Sequence, residues 1–460
     1  MVSGQTRPKL VSRTIGGAVL VAFLLGLATR ILSLNLSPTN GDPAVTRWQP
    51  IHYGPALERD ERIYLALTEQ LAAGNGYTLQ GHPILSEPWV AREQYDRPLF
   101  FHPPGGIALF WLTSRIAGDS GYAMAEVLSF ALYFWAVVFL GFQASRPVGL
   151  RCAQPDGCSA PLPGYGGRTQ TSILLLAILA AFCPLMSQVT GRLWLDGPLL
   201  AFSTAAAALF LFGVRRQNTK IVTAAALLLG YASWIKLTAF LAAPGALALA
   251  WAITESGQRR FLFTRGLLWI LLAGLLHLPW EIWQWHVFGT PFPTWAGKPA
   301  AQLVRDNPYV HYLTVVRSPW IYIQLLPQVL WTLVPSVVLL GLQWGKRELR
   351  KRGLALLFWI AVVVVFHVTL ATMGYSKLLR YVILTAPAAL VLFAITTAEV
   401  VRTLQDGRWV LGSRQASAGL IVLAATGLAL QVIQALTTSL VDNRMIDLIR
   451  PLPILDLIFG

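Results

Sequence analysis

A chain of 460 residues that is 55% hydrophobic and only 12% charged, with a mean hydropathy of +0.56, is not a soluble globular domain. Its net charge of +15 does not indicate nucleic-acid binding, because the basic residues come as small clusters at the ends of apolar runs and no soluble basic domain exists. Cys152, Cys158 and Cys183 lack zinc-ligand spacing.

The first apolar run of bilayer length is Thr14–Ser33. Arg7, Lys9 and Arg13 precede it as in a signal peptide, but its length and the lack of a small-x-small cleavage site predict a retained span. A long polar segment follows, up to Gly121. Within it Asp60 and Glu61 open Arg62–Ala73, where Ile63, Leu67 and Leu71 at helical spacing and the stop residue Gly74 predict an amphipathic helix on the membrane surface. Helix capping by Asp60, with Glu61 in the favourable first turn, is one account of the pair, and catalysis is the other. Ile107–Ala117 is apolar but short, follows His102-Pro103-Pro104-Gly105-Gly106 and carries Arg115, so it is expected to lie at the interface.

Ten further spans are predicted: Tyr122–Phe142, Thr171–Val189, Pro198–Val214, Ile221–Ile235, Leu237–Thr254, Phe263–Pro279, Trp320–Trp344, Leu354–Met373, Tyr381–Val400 and Ser417–Thr437. The fold class is therefore an all-α polytopic membrane protein with about eleven transmembrane helices. With the N-terminus in the cytoplasm, the inner segments hold the clusters around Arg7, Arg146, Arg215, Arg259, Lys346 and Arg402, and only Asp156, Glu255, Glu348, Glu399 and Asp406 oppose them. The whole net charge of +15 then falls inside, a positive-inside pattern that an extra span at Ile107–Ala117 would destroy. The outer face receives the loops 34–121, 190–197 and 280–319 and the tail 439–460, while the Pro/Gly-rich stretch 154–167 is an inner connector.

A second outer acid, Asp196, sits in Arg192-Leu193-Trp194-Leu195-Asp196-Gly197-Pro198. It is suited to a helix start, and equally placed to meet the first acidic pair. Lys236 interrupts two spans, and Lys377 and Arg380 precede another. Each is either a snorkelling anchor or part of a cationic pocket for a lipid phosphate.

The order of these motifs resembles the GT-C membrane glycosyltransferases, in particular bacterial relatives of protein O-mannosyltransferases and of the lipid A aminoarabinose transferase. The residues concerned are Asp60-Glu61 with Tyr64, Gly74-Asn75-Gly76-Tyr77, His102-Pro103-Pro104-Gly105, Arg192 to Leu199, Trp234-Ile235-Lys236 with Pro244, and Lys377 to Tyr381 with Pro387. The likeness is strongest over 14–279. The span Tyr122–Phe142 departs from the mannosyltransferases in carrying Glu126 near its start instead of arginine, which weighs against a protein acceptor.

The resemblance implies a GT-C fold with a catalytic module over 1–280 and a C-terminal module over 281–460. It implies inverting transfer of a monosaccharide from a polyprenyl-phosphate donor to a hydroxyl of a glycan, lipid or protein acceptor. The reaction would take place on the extracytoplasmic face of a bacterial inner membrane. Asp60 would be the base, supported by Glu61. Lys236, and with it Lys377, Arg380 and Tyr381, would bind the donor phosphate. Asp196 would orient its surroundings, and Tyr64, His102 and Arg192 would support the acceptor or the structure, His102 by packing against the loop. A divalent metal ion between Asp60 and Asp196 stands open, as do a flippase of lipid-linked sugars and a glycan ligase or polymerase as alternatives.

Overall fold

The structure, a computed structural model, describes residues 6–36, 59–87, 90, 92–100, 102–146, 165–190, 192–289, 317–375, 377–407 and 413–440. Cys152, Cys158, Ser376, most of the connector 154–167, most of the loop 280–319 and the tail beyond 440 lie outside them.

Among the described residues every regular element is helical: α1 (Thr6–Leu36), α2 (Arg59–Ala72), α3 (Gly105–Ala117), α4 (Gly121–Ser145), α5 (Tyr165–Ala181), α6 (Pro184–Thr190), α7 (Asp196–Arg216), α8 (Thr219–Ile235), α9 (Ala242–Ile253), α10 (Arg259–Phe288), α11 (Ile321–Val329), α12 (Leu333–Leu342), α13 (Arg347–Thr372), α14 (Ala386–Gln405) and α15 (Arg414–Leu440). Short 3₁₀ turns at Leu237–Leu241 and Leu379–Thr385 lead into α9 and α14.

Every one of the eleven expected spans is helical, but not all are simple rods. Among the described residues eight helical segments have the length and composition to cross a membrane, whereas Thr219–Ile235 and Leu237–Ile253 are shorter apolar pieces. The expected straight span Trp320–Trp344 is instead α11 and α12, bent by 87°. Similarly, the expected loop from Trp280 begins as helix, because α10 continues to Phe288 before Gly289 ends it at φ +69°.

Burial separates the helices that line the interior from those that face lipid. The stripe Phe263, Leu267, Leu271 and Leu275 repeats every fourth residue along α10 and is exposed, as an outer membrane helix requires. In contrast, α14 is buried almost throughout and packs on α4, α5, α12 and α13. The alanine-rich α7 packs closely on α4 and α8, since small side chains allow near approach where lipid provides no hydrophobic drive. Arg30 of α1 is only 1% exposed: its guanidinium donates to Ser439 Oγ at 2.8 Å and to the Ala181 carbonyl at 3.1 Å, and lies over the Phe130 ring. These contacts offset much of the cost of an intramembrane cation, although its Nε–H is left without a hydrogen-bond partner among the described residues.

The amphipathic helix α2 forms where its periodicity placed it, and Gly74 follows it with φ +78°. It packs on α3, the expected interfacial helix, which in turn packs on α4 and α8. Gly105 is required at that contact: a Cβ there would lie 2.8 Å from both the carbonyl carbon and the carbonyl oxygen of Trp234. The Tyr231 hydroxyl donates to the Gly105 carbonyl at 3.0 Å and fixes α3 over the end of α8. The polar segment is thereby carried onto the helix breaks at Lys236 and Leu379.

Candidate active site

Three acids on two separate elements each meet a different cation. Asp60 and Glu61 both stand in the first turn of α2, which starts at Arg59, so Asp60 is not the cap; its Oδ2 accepts from Arg380 Nη2 at 2.7 Å. Glu61 Oε2 accepts from Arg192 Nη1 at 3.1 Å and its Oε1 from the Leu193 backbone N–H at 2.9 Å. Asp196 is the first residue of α7, with Leu195 at the cap position, and its Oδ1 accepts from Lys236 Nζ at 2.8 Å. The local capping account therefore gives way at both positions to long-range ion pairs.

Exposure divides the three. The Glu61 side chain is 1% exposed and that of Asp196 5%, whereas that of Asp60 is 45% exposed. A sealed carboxylate bonded on both oxygens, as Glu61 is, braces structure; the half-exposed Asp60, with a single ion-pair contact, keeps an oxygen available for chemistry.

The cations are joined through aromatic rings. The Arg380 guanidinium lies 3.9 Å from the centre of Trp194, and that of Arg192 lies 5.6 Å from it. The Lys236 ammonium is 5.3 Å from the Tyr381 ring centre, and Arg380 is 5.8 Å from the same ring. Arg380, Tyr381 and Lys236 thus form one group around Asp60 and Asp196. Lys377 stands beside Arg317 instead: Arg317 Nη1 donates to the Lys377 carbonyl at 2.8 Å, and burial, with the Arg317 charge adding to it, lowers the Lys377 pKa.

Tyr64 is buried on α2 within electrostatic reach of Asp60 and Asp196. Burial first, and those charges second, push its hydroxyl well above the ordinary value, so it remains a neutral phenol. His102 packs against the Phe100 ring at 5.7 Å as a loop support would. Burial and then the Lys236 charge hold its imidazole down to about 4, while Asp60 and Asp196 pull the other way, so it is neutral at pH 7 and also faces the acid–base group.

A divalent metal between Asp60 and Asp196 does not fit this donor set. Each carboxylate already has a basic side chain at hydrogen-bond distance, and among the described residues no three or more His, Cys, Asp or Glu side chains converge on a metal-sized site.

Two residues of the neighbourhood escaped the sequence reading, and a third, Glu126, enters it only as a departure from the mannosyltransferase pattern. Trp194 was visible only as a spacer between Arg192 and Asp196, and Arg317 lay in the long second loop. Glu126 of α4 is 1% exposed, faces the backbone of Gly197 and lies within electrostatic reach of Glu61 and Asp196. Its departure from the arginine of the mannosyltransferases was the available signal.

No family model and no curated protein matches the sequence. Solved structures do. The oligosaccharyltransferase of Archaeoglobus fulgidus tethered to an acceptor peptide aligns over 92% of this chain at 13% identity, with a TM-score of 0.51. ArnT of Cupriavidus metallidurans bound to undecaprenyl phosphate aligns over 93% at 15% identity, with a TM-score of 0.52. The chain spans 55% of the length of the oligosaccharyltransferase and 76% of that of ArnT. The chain is a multi-pass membrane protein with the GT-C fold of these membrane glycosyltransferases.

Proposed function

We propose that the protein is an integral membrane glycosyltransferase that moves a monosaccharide from a polyprenyl-phosphate donor to an acceptor hydroxyl, with inversion. The acceptor belongs to the cell envelope, and the reaction lies on the extracytoplasmic face of a bacterial inner membrane. The observation that carries this reading is the half-exposed Asp60 held by Arg380 in one group with Lys236. The solved relatives add that a GT-C fold can hold undecaprenyl phosphate and an acceptor peptide.

The chemistry needs little more than this group. A phosphate ester leaves without a general acid, so the departing charge needs cations, while the attacking hydroxyl needs a base. Asp60 takes the hydroxyl proton on the oxygen that Arg380 does not hold. The acceptor oxygen then bonds to the anomeric carbon as the carbon–oxygen bond to phosphate breaks, and the electron pair leaves with the phosphate. Lys236, anchored by a single bond to Asp196, turns its remaining N–H groups to that phosphate, with Arg380 and Tyr381 beside it and Lys377 at the approach. The acceptor hydroxyl approaches past Tyr64.

The test is transfer by purified protein in nanodiscs, supplied with short-chain polyprenyl-phosphate monosaccharides and an envelope extract. Wild type is expected to release polyprenyl phosphate and label the acceptor, and Asp60→Asn to lose about 10²- to 10⁴-fold in rate, the usual contribution of a positioned base. Donor crossing the membrane without transfer in either protein would instead establish the flippase alternative.

A further inference from the structure

The two arginines that hold Asp60 and Glu61 come from distant parts of the chain, yet both guanidinium groups lie over one indole. Trp194 is 1% exposed and sits on the turn between Arg192 and α7, two residues before Asp196. Its ring therefore touches both halves of the acidic pair's counter-charge. Arg380 lies within 3.9 Å of the ring centre, a distance at which the negative face of the ring attracts the cation strongly. Desolvation increases that attraction, and Arg380 itself is only 4% exposed.

A guanidinium presents two parallel N–H groups and, left free beside a carboxylate, takes both oxygens. Here Arg380 reaches only Oδ2 of Asp60, through Nη2. A carboxylate held on both oxygens would have one lone pair of each tied to the guanidinium, which makes it a weaker base towards the acceptor.

We propose that Trp194 is a positioning residue that acts through cation–π contact, holding Arg380 off the second oxygen of Asp60 and tying it to the Arg192–Glu61 brace. The inference rests on the transferase reading for its catalytic consequence, but the contact itself can be tested without it.

The experiment places tryptophans carrying one to three ring fluorines at position 194 alone. Fluorine drains the ring face of electron density while leaving its shape almost unchanged, so a merely structural indole would not respond. With the nanodisc transfer assay, kcat/KM is expected to fall stepwise along the series, by roughly 2- to 30-fold at the last member, the range one such contact can carry. The same series at Trp283, which is half exposed on α10, is expected to leave kcat/KM unchanged. A flat series at 194, or an equal fall at both positions, would overturn the proposal.

A second arm reads the fluorine resonance of monofluorinated Trp194 in wild type, Arg380→Gln and Arg192→Lys. Displacement of the signal in both variants is expected, and an unmoved signal in Arg380→Gln would overturn the contact. If wild type transfers no sugar, the transferase reading fails while this second arm still decides the role of Trp194.

Discussion

At the scale of single residues, the adjacent acids Asp60 and Glu61 differ in what surrounds them rather than in chemistry. Glu61 is sealed between Arg192 and the Leu193 N–H, so Glu61→Gln removes a carboxylate charge that faces a buried guanidinium. Removing one member of such a pair costs about 3–5 kcal/mol, and the variant should show a clearly lowered melting temperature. Asp60→Asn also takes a charge from a buried partner, Arg380, but the acid itself is half exposed and water reaches the pair, so it should lower the melting temperature less than Glu61→Gln while losing transfer. Equal thermal losses in the two variants would remove the distinction between brace and base. His102 offers a pH test. An unfolded histidine takes its proton near 6.5 and the folded one only at about 4, so across that window the unfolded chain binds more protons. Stability should therefore fall as pH drops from 6.5 towards 4, and His102→Gln should flatten that part of the melting curve against pH.

Among the elements, what periodicity encodes was legible and what direction encodes was not. The stripe Ile63, Leu67 and Leu71 with Gly74 placed α2, and the short apolar run after Pro104 placed α3. Hydropathy, however, is blind to a bend. Trp320–Trp344 is apolar throughout, and only its fold into α11 and α12 at 87° shows that it is not one rod. The residue partners were less legible still. Asp60 and Arg380 are 320 positions apart, and nothing local to either specifies the other, so sequence could name both as candidates without pairing them. Capping explained Asp60 and Asp196 equally well until their carboxylates were seen to reach Arg380 and Lys236. The contact between α3 and α8 that aligns these elements depends on Gly105. Gly105→Ala must move α3 off the Trp234 carbonyl, an overpacking that costs about 1–3 kcal/mol. Melting temperature and transfer rate should fall together, and a variant with both unchanged would show that α3 does not set the site.

For the whole molecule, charge is segregated along the helix bundle. At the end opposite Asp60, Glu399 of α14 accepts from Arg168 at 2.9 Å and Lys346 at 3.0 Å, so one acid ties α5 and the start of α13 to α14. Around it the basic side chains cap helix ends: Arg352 donates to the Ala144 carbonyl at 2.9 Å and Arg215 to that of Arg146 at 3.1 Å. Four of the clusters assigned to the inner face, those around Arg146, Arg215, Lys346 and Arg402, thus meet at one end, and the acid–base group occupies the other. The positive-inside rule then predicts the orientation that the proposed function needs, with Asp60 outside. Single cysteines test this in a chain with Cys152 and Cys158 replaced by serine, Cys183 being buried. Gln80→Cys, exposed beyond α2, should react with a membrane-impermeant thiol reagent in spheroplasts. Gln217→Cys, exposed at the C-terminus of α7, should react only after permeabilisation. Reaction in the reverse order would put Asp60 and Lys236 on the cytoplasmic side. A donor presented on the outer leaflet would then be out of their reach, and the extracytoplasmic reading would fall with the orientation.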